Sequence, residues 1–467
     1  MMFPTTLSCD PGALAIIRRL RGAGHRAYLV GGCVRDQLMG RSPADWDVAT
    51  DATPDRVEAL FNRVIPVGKA FGVLIVVLPQ GEYEVATFRG DGDYSDGRRP
   101  DGVTFTGPEE DVRRRDFTIN ALLYDPEAGC VLDYVGGVAD IEQGVVRTVG
   151  DPQQRFTEDH LRLLRAVRFA ARTGFALDPG TAQAMRELAP LAAAVSGERL
   201  GDELTRMLAE GAARRSLELL DATGLLAVVL PEVAALHGVT QPPEFHPEGD
   251  VWVHTLAMLG TWDARVQALA RERVPGLAGD ASDCAILGWA VLLHDVGKPE
   301  TRTEDGRICF YGHDAAGATK AEAILTRLRR ATKLIRPVVA LVAGHMHFVH
   351  VPDMREAKRR RFLRDEGFPY HLELHRLDCE GSHGKLGVYT QMLQAYGQEL
   401  ATPPPRQPLL RGDDLLAAGY QPGPQMGRML RAVEDARLEH QVDTRDEALA
   451  WVRQQFTGGG SGGRAEG

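Results

Sequence analysis

Residues 28–50 read YLVGGCVRDQLMGRSPADWDVAT, and they leave few options for the first domain of the chain. An apolar run ends in two glycines, an amphipathic stretch follows, and an acidic strand closes the segment. AYLVGG, WDVAT, FGVLIVVLP and EYEVATFR carry the β-branched and aromatic composition of strands. Residues 11–20 and 54–61 read as helices, the second after a Thr-Pro start signal. From about residue 156 the pattern becomes almost entirely helical, in FTEDHLRLLRAVRFAART, ERLGDELTRMLAE, SLELLDATGLLAVV, VWVHTLAMLGTW and CAILGWAVLLHDVG. The sequence therefore predicts an α+β chain: a mixed α/β head over 1–150, a helical neck over 151–239, a helical body over 240–400 and a C-terminal helical tail over 401–456. TQPPEFHPEGD and ATPPPRQP read as breaks between these segments, and 457–467, TGGGSGGRAEG, as a flexible tail.

At 467 residues the chain has room for two to four domains. No apolar run is read as approaching the roughly eighteen residues of a membrane span, and MMFPTTLSCDPG lacks the pattern of a signal peptide. Cys9, Cys33, Cys130, Cys284, Cys309 and Cys379 form no CxxC pair, which points to reduced thiols and a cytoplasmic protein without a disulfide frame. A net charge of −10 excludes a surface coated in basic residues but leaves room for a local basic stripe. Such clusters occur at Arg113, Arg114 and Arg115, at Arg162, Arg165, Arg168 and Arg172, and over 358–361.

Residues two apart on a strand share a face, so a strand through DWDVAT projects Asp45 and Asp47 side by side, about 6–7 Å apart. Two carboxylates that close repel each other and raise each other's pKa. A divalent cation relieves the repulsion, and hard oxygen ligands suit magnesium. A pair of such ions can clamp both oxygens of a phosphoryl displacement. Gly31 and Gly32, without Cβ atoms, let backbone N–H groups approach a triphosphate, and Arg35 adds a bidentate phosphate contact. Glu84, which shares a strand face with Glu82, is a candidate third carboxylate; a solvated face is the competing reading.

Taken in order, LVGGCVRDQLMGRSPADWDVAT, DGDYSDGRRPDGVTF, RRRDFTINALLYD, DYVGGVADIEQGVVRTVGDP and FTEDHLRLLRAVRFAARTGF resemble the motifs of class II tRNA nucleotidyltransferases, the CCA-adding family that includes bacterial poly(A) polymerases. The resemblance covers nearly the whole chain. It implies a polymerase-β-like nucleotidyltransferase head in which Asp45 and Asp47 bind two Mg2+ ions and Gly32 and Arg35 contact the phosphates. It also implies that Arg115 and Asp116 lie beside phosphate and ribose, with Asn120 supporting that strand. By the same resemblance Asp159 and Arg162 read the edge of the incoming base, and Arg165 and Arg168 extend that surface toward phosphate. As one helix, positions 159, 162, 165 and 168 drift slowly around a single face. A carboxylate and a guanidinium there match the amino group and ring nitrogen that cytosine and adenine share, and mismatch uracil and guanine. The implied substrates are tRNA, CTP and ATP, with no membrane and no DNA partner.

Eleven of the fourteen histidines fall between 237 and 383. His254, the adjacent His294 and Asp295, His313, His345 and Asp378 resemble the ligand set of HD-superfamily phosphohydrolases, which places an HD-type metal domain over 240–400. Imidazole with carboxylate suits a transition metal or a two-metal centre. Lys298 is placed to bind phosphate, and His347 and His350 read as outlying. Three readings compete. The first is CCA addition; its variant that adds only the terminal adenosine stays open, and the loop DGDYSDGRRPDGVTF disfavours addition of CC alone. The second is a poly(A) polymerase. The third is mainly an HD phosphohydrolase whose head binds RNA.

Overall fold

A computed structural model describes residues 2–456 apart from 93, 95, 96, 99, 101, 245, 270–273 and 402–406. Part of the loop read at 91–105, part of the Pro-rich break at 401–408 and the 457–467 tail thus lie outside the described residues. The chain divides into two units. The first holds 1–239 with 262–267 and 322–335, and the second holds 240–261, 268–321 and 336–467.

The first unit opens on a sheet built from β1 (Met2–Pro4), β2 (Ala27–Val30), β3 (Asp47–Thr50), β4 (Val64–Gly68), β5 (Val73–Leu78) and β6 (Gly81–Thr87). A small hairpin of β7 (Arg89–Asp91) and β8 (Val103–Phe105) follows, and β9 (Leu122–Asp125) and β10 (Cys130–Asp133) return to the sheet. Its order is β1-β10-β9-β2-β3-β6-β5-β4. Only β3 and β6 run parallel within it, with Val48 opposite Val85. That register sets Asp47 and Glu84, one residue earlier on each strand, at the same level of the sheet.

Helix Pro11–Gly22 covers one face of this sheet. Asp10 caps it by accepting from the Gly12 and Ala13 amides, and Ala13, Ile16, Ile17 and Leu20 form its buried stripe. A Cβ on Gly12 would stand 2.2 Å from the Tyr83 hydroxyl, so this close approach to β6 requires glycine. The turn in DYVGG is closed by Asp133, whose carboxylate accepts from the amides of Val135, Gly136, Gly137 and Val138. Helices Arg162–Thr173, Gly197–Ala209 and Ala213–Ala222 pack after the sheet, with Leu163, Leu164, Val167, Leu204 and Leu217 buried.

One expected helix is two. Helix Pro152–Glu158 ends and helix Arg162–Thr173 begins across an extended Asp159. The Asp159 carboxylate accepts from the Leu161 amide, which stabilises the break in competition with helical hydrogen bonds.

Among the described residues the second unit is helical apart from loops and a short hairpin, Thr303–Glu304 with Ile308–Cys309. Helix Ala281–Leu293 is capped by Asp280 and buried all round, as its unbroken apolar run requires. It delivers His294 and Asp295 to the interior. Residues 332–353 are long and apolar enough to cross a membrane by length and composition, which the sequence reading missed. The segment nevertheless breaks at Gly344, carries Arg336, and buries Val338, Leu341, Val342, Phe348 and Val351 in the unit. A separate cluster of Leu415, Met429, Val433, Ala448 and Val452 forms the core of the C-terminal helices.

Candidate functional sites in the two units

In the head, Asp47 is the first residue of β3 and pairs with Val30, directly before the two glycines. Asp45 is not on the strand, as the sequence had it, but in the loop before it. Strand alternation therefore does not align the two carboxylates, yet they still meet electrostatically. Burial and the charges of Glu84 and Asp45 push the Asp47 carboxyl up to about 7, against the pull of Arg115. Burial raises Glu84 as well. Three carboxylates that feel one another's charge are oxygen donors of the type that suits a hard divalent cation.

Gly31 has φ +75° and ψ −124°, a conformation L side chains rarely adopt. A Cβ there would face the Arg115 Nη1 at 3.5 Å. Arg115 itself is tied to Asp111, 3.1 Å away. Arg35 is not the free phosphate arm suggested by its position in the motif. It is buried, donates to Asp36 Oδ1 at 2.8 Å and to Asn120 Oδ1 at 2.6 Å, and leaves only its edge near Gly32. Asp116 is equally engaged. Its Oδ1 accepts from the Phe117 amide and Asn120, and its Oδ2 from Arg165 at 2.8 Å. Burial opposes its charge, but the Arg165 guanidinium holds the carboxyl down to about 2.

The arginines of helix Arg162–Thr173 diverge. Arg168 is buried against Glu203 at 2.6 Å and serves packing. Arg35, Arg165 and Arg168 all stack on the Phe169 ring, at 5.2, 5.2 and 4.4 Å. The expected base-reading pair is not paired with itself. Arg162 binds Glu158 at 2.7 Å, while Asp159 takes both donors of Arg199, at 3.0 and 2.8 Å. The break in the helix leaves Asp159 outside helix Arg162–Thr173, so the two are no longer neighbours one turn apart. Arg199 and Glu158 were missed by sequence reasoning. Glu158 stands within the quoted motif, whereas Arg199 lies 40 residues further on with no local signal.

In the second unit all six residues of the expected histidine and aspartate set converge. His254, His294 and Asp378 form one trio, and Asp295, His313 and His345 another, each with its ligand atoms within 4.8 Å of one another. Asp295 faces both. Its Oδ2 lies 3.1 Å from His294 Nε2, and its Oδ1 lies 3.7 and 3.8 Å from the Nε2 atoms of His313 and His345. Lys298 reaches Asp295 Oδ2 at 2.7 Å and Gln241 at 2.6 Å. His347 and His350 are exposed.

The second ring nitrogens decide what this cluster can hold. The Nδ1 atoms of His294, His313 and His345 face the carbonyls of Val291, Phe310 and Val342 at 2.9, 2.7 and 2.7 Å. A carbonyl only accepts, so each Nδ1 carries a proton and Nε2 is the nitrogen left to face the centre. His254 Nδ1 faces Glu248 Oε1 at 2.6 Å, to the same effect. Yet His254 and His294 bring their Nε2 atoms to 3.3 Å, and His313 and His345 to 3.0 Å. Neutral rings in this tautomer oppose lone pair to lone pair. Burial resists a proton on His254, but Asp378 and Glu248 raise it to about 9, which relieves the first pair. Burial holds His345 down to about 4, so the second pair has no such relief from that ring. The donor set fits divalent cations of the kind that accept nitrogen and oxygen together.

A sheet with this acidic edge, followed by helices and an HD-type centre, defines a nucleotidyltransferase head joined to a metal-dependent helical domain. The poly(A) polymerase head domain model matches residues 27–147, the probable RNA and SrmB-binding site of polymerase A matches 174–236, and the HD domain matches 264–371. The CCA-adding enzyme of Geobacillus stearothermophilus is 42% identical over 63% of this chain and 72% of its own length. That of Bacillus subtilis is 50% identical over 46% of this chain and 54% of its own. The crystal structure of the Bacillus stearothermophilus CCA-adding enzyme with CTP superposes with a TM-score of 0.71 at 29% identity, over 96% of this chain and 99% of the other. The chain belongs to the CCA-adding enzyme family of tRNA nucleotidyltransferases. Both domain types use divalent metal ions.

Proposed function

We propose that this chain adds CCA to the 3′ ends of tRNA from CTP and ATP, without a nucleic-acid template. The observation that carries the reading is the register that sets Asp47 beside the Gly31 turn and level with Glu84, with Asp45 near enough for its charge to act on Asp47. The tRNA 3′-hydroxyl attacks the α-phosphorus, and the bond to pyrophosphate breaks as the new P–O bond forms. Asp45 and Asp47 would hold Mg2+, which when bound there stabilises charge on the transferring phosphoryl group. Arg115, beside the glycine turn, adds positive charge for the phosphates. Asp116 orients Arg165 at the same edge. Asp159 offers its carboxylate to the exocyclic amino group that cytosine and adenine share, and Arg162 offers a donor to the ring nitrogen, steadied by Arg199 and Glu158. Uracil and guanine present the wrong polarity to both.

The test uses three tRNA acceptors, ending before CCA, after C and after CC, with CTP and ATP supplied separately. Growth of all three with the matching nucleotide is expected. Extension of the CC-ended acceptor alone would make this an A-adding enzyme, and long adenosine tracts on unrelated RNA a poly(A) polymerase.

The helical unit supports a second activity, hydrolysis of phosphate esters. The observation that favours it is the set of four imidazoles with Nδ1 engaged and Nε2 aimed inward. With Asp295 and Asp378 they would hold a transition metal, which when bound would polarise the attacking water and the phosphate. Lys298 then stands ready for the phosphate. Metal analysis of the purified chain, with and without Asp295→Asn, tests this centre; equal metal in both would refute it.

A further inference from the structure

Glu248 and His246 belong to TQPPEFHPEGD, a segment the sequence reading treated only as a break. Neither is among the six expected ligands, yet both stand at the second site. Glu248 Oε1 accepts from His246 Nδ1 at 2.9 Å and from His254 Nδ1 at 2.6 Å. His246 packs edge-on against His254, with ring centroids 4.8 Å apart. It also lines a cavity of about 640 Å³ together with His294, Asp295, Lys298, His313 and Asp378. The ring is half-buried, with 19% of its side chain exposed.

One carboxylate oxygen therefore fixes two imidazoles, and they end in different situations. His254 has its Nε2 3.3 Å from both His294 and Asp378 and is committed to the cluster. Among the described residues His246 meets that cluster through Glu248 and the edge of the His254 ring. With Nδ1–H donated to the carboxylate, its Nε2 is left as an acceptor on a ring that borders the cavity. The arrangement of carboxylate, imidazole and open site is that of an oriented proton-transfer group.

We infer that His246, oriented by Glu248, moves the proton in phosphate ester hydrolysis at this centre; the inference rests on the hydrolase reading above. As the oxygen of water bonds to phosphorus, Nε2 takes its proton. As the ester P–O bond breaks, the same proton passes to the departing alkoxide. No charge accumulates, and phosphate and alcohol are the products. The cavity volume suits a small phosphate monoester of nucleotide size.

The experiment uses the full chain loaded with Mn2+, as wild type, His246→Ala and Glu248→Gln, with two esters. AMP leaves a strongly basic alkoxide that needs a proton. The p-nitrophenolate of p-nitrophenyl phosphate does not. The expected result for His246→Ala is unchanged metal content, a loss of about 100-fold or more on AMP, and less than about tenfold on p-nitrophenyl phosphate. Histidine 15N spectra of the metal-free chain should show the Nδ1–H tautomer for His246 in wild type and its loss in Glu248→Gln. Nucleotidyl transfer by the variants reports that they fold. Equal losses on both esters, or a fall in bound metal, would overturn the assignment, the latter by making His246 a ligand. A loaded wild type that hydrolyses neither ester removes the hydrolase reading itself, and this inference with it.

Discussion

Replacing Asp47 with asparagine should abolish nucleotidyl transfer and at the same time stabilise the metal-free protein. The carboxyl is pushed from an ordinary 3.8 up to about 7 by burial, Glu84 and Asp45. An acid whose pKa is raised on folding costs stability when it ionises. The cost is absent below its unfolded pKa, grows as pH rises, and is complete above about 7. At about 1.4 kcal/mol per unit, the shift sets an upper limit of about 4 kcal/mol. The group is only partly buried and its neighbours can relax, so half of that, about 2 kcal/mol, is the working figure. Asparagine keeps the shape and removes the charge. In a unit of this size the gain corresponds to a rise of about 4–8 °C in the melting temperature. Calorimetry in EDTA at pH 8 should show the variant melting above wild type by that margin, and at pH 5 by a smaller one. Added Mg2+ should raise the wild type and leave the variant nearly where it was. If the variant gains nothing in EDTA at pH 8, or gains as much at pH 5, the carboxylates are not crowded and the argument for a cation site at this edge fails.

Other changes test the remaining parts. Gly31→Ala forces a side chain into φ +75° and should cost about 1–3 kcal/mol, seen as a lower urea midpoint, with transfer reduced at least tenfold. Arg199→Ala frees the Asp159 carboxylate and should lower the preference for CTP and ATP over UTP, measured as a ratio of kcat/KM, by about 10- to 100-fold. Phe169→Ala removes the ring on which three guanidinium groups stack and should destabilise the chain by about 3–5 kcal/mol in urea titration. Asp295→Asn should strip metal from the second unit while tRNA extension stays at the wild-type rate; a parallel loss of both would refute the separation of the two sites.

Much was settled by local chemistry that a sequence displays directly. Helix starts at Pro11 and Pro54, the strand before the glycine pair and the buried helix leading to His294 depend on neighbours in the chain, and they form where the pattern puts them. The histidine and aspartate set was legible for the same reason: six residues of metal-binding type, spread over 125 positions, had few other uses for so many imidazoles. What the chain's order could not reveal is which charge meets which. Asp45 stands off the strand because β3 begins only at Asp47, where pairing to Val30 starts. Asp159 meets Arg199 in place of Arg162 because a side-chain hydrogen bond to the Leu161 amide ends one helix before the next begins. Arg168 and Arg35 look like surface cations in sequence, but packing buries them against Glu203, Asp36 and Asn120. Backbone preferences act over a few residues and can be read from them. Ion pairing and tautomer choice are decided by groups tens of residues apart, and only folding brings those together.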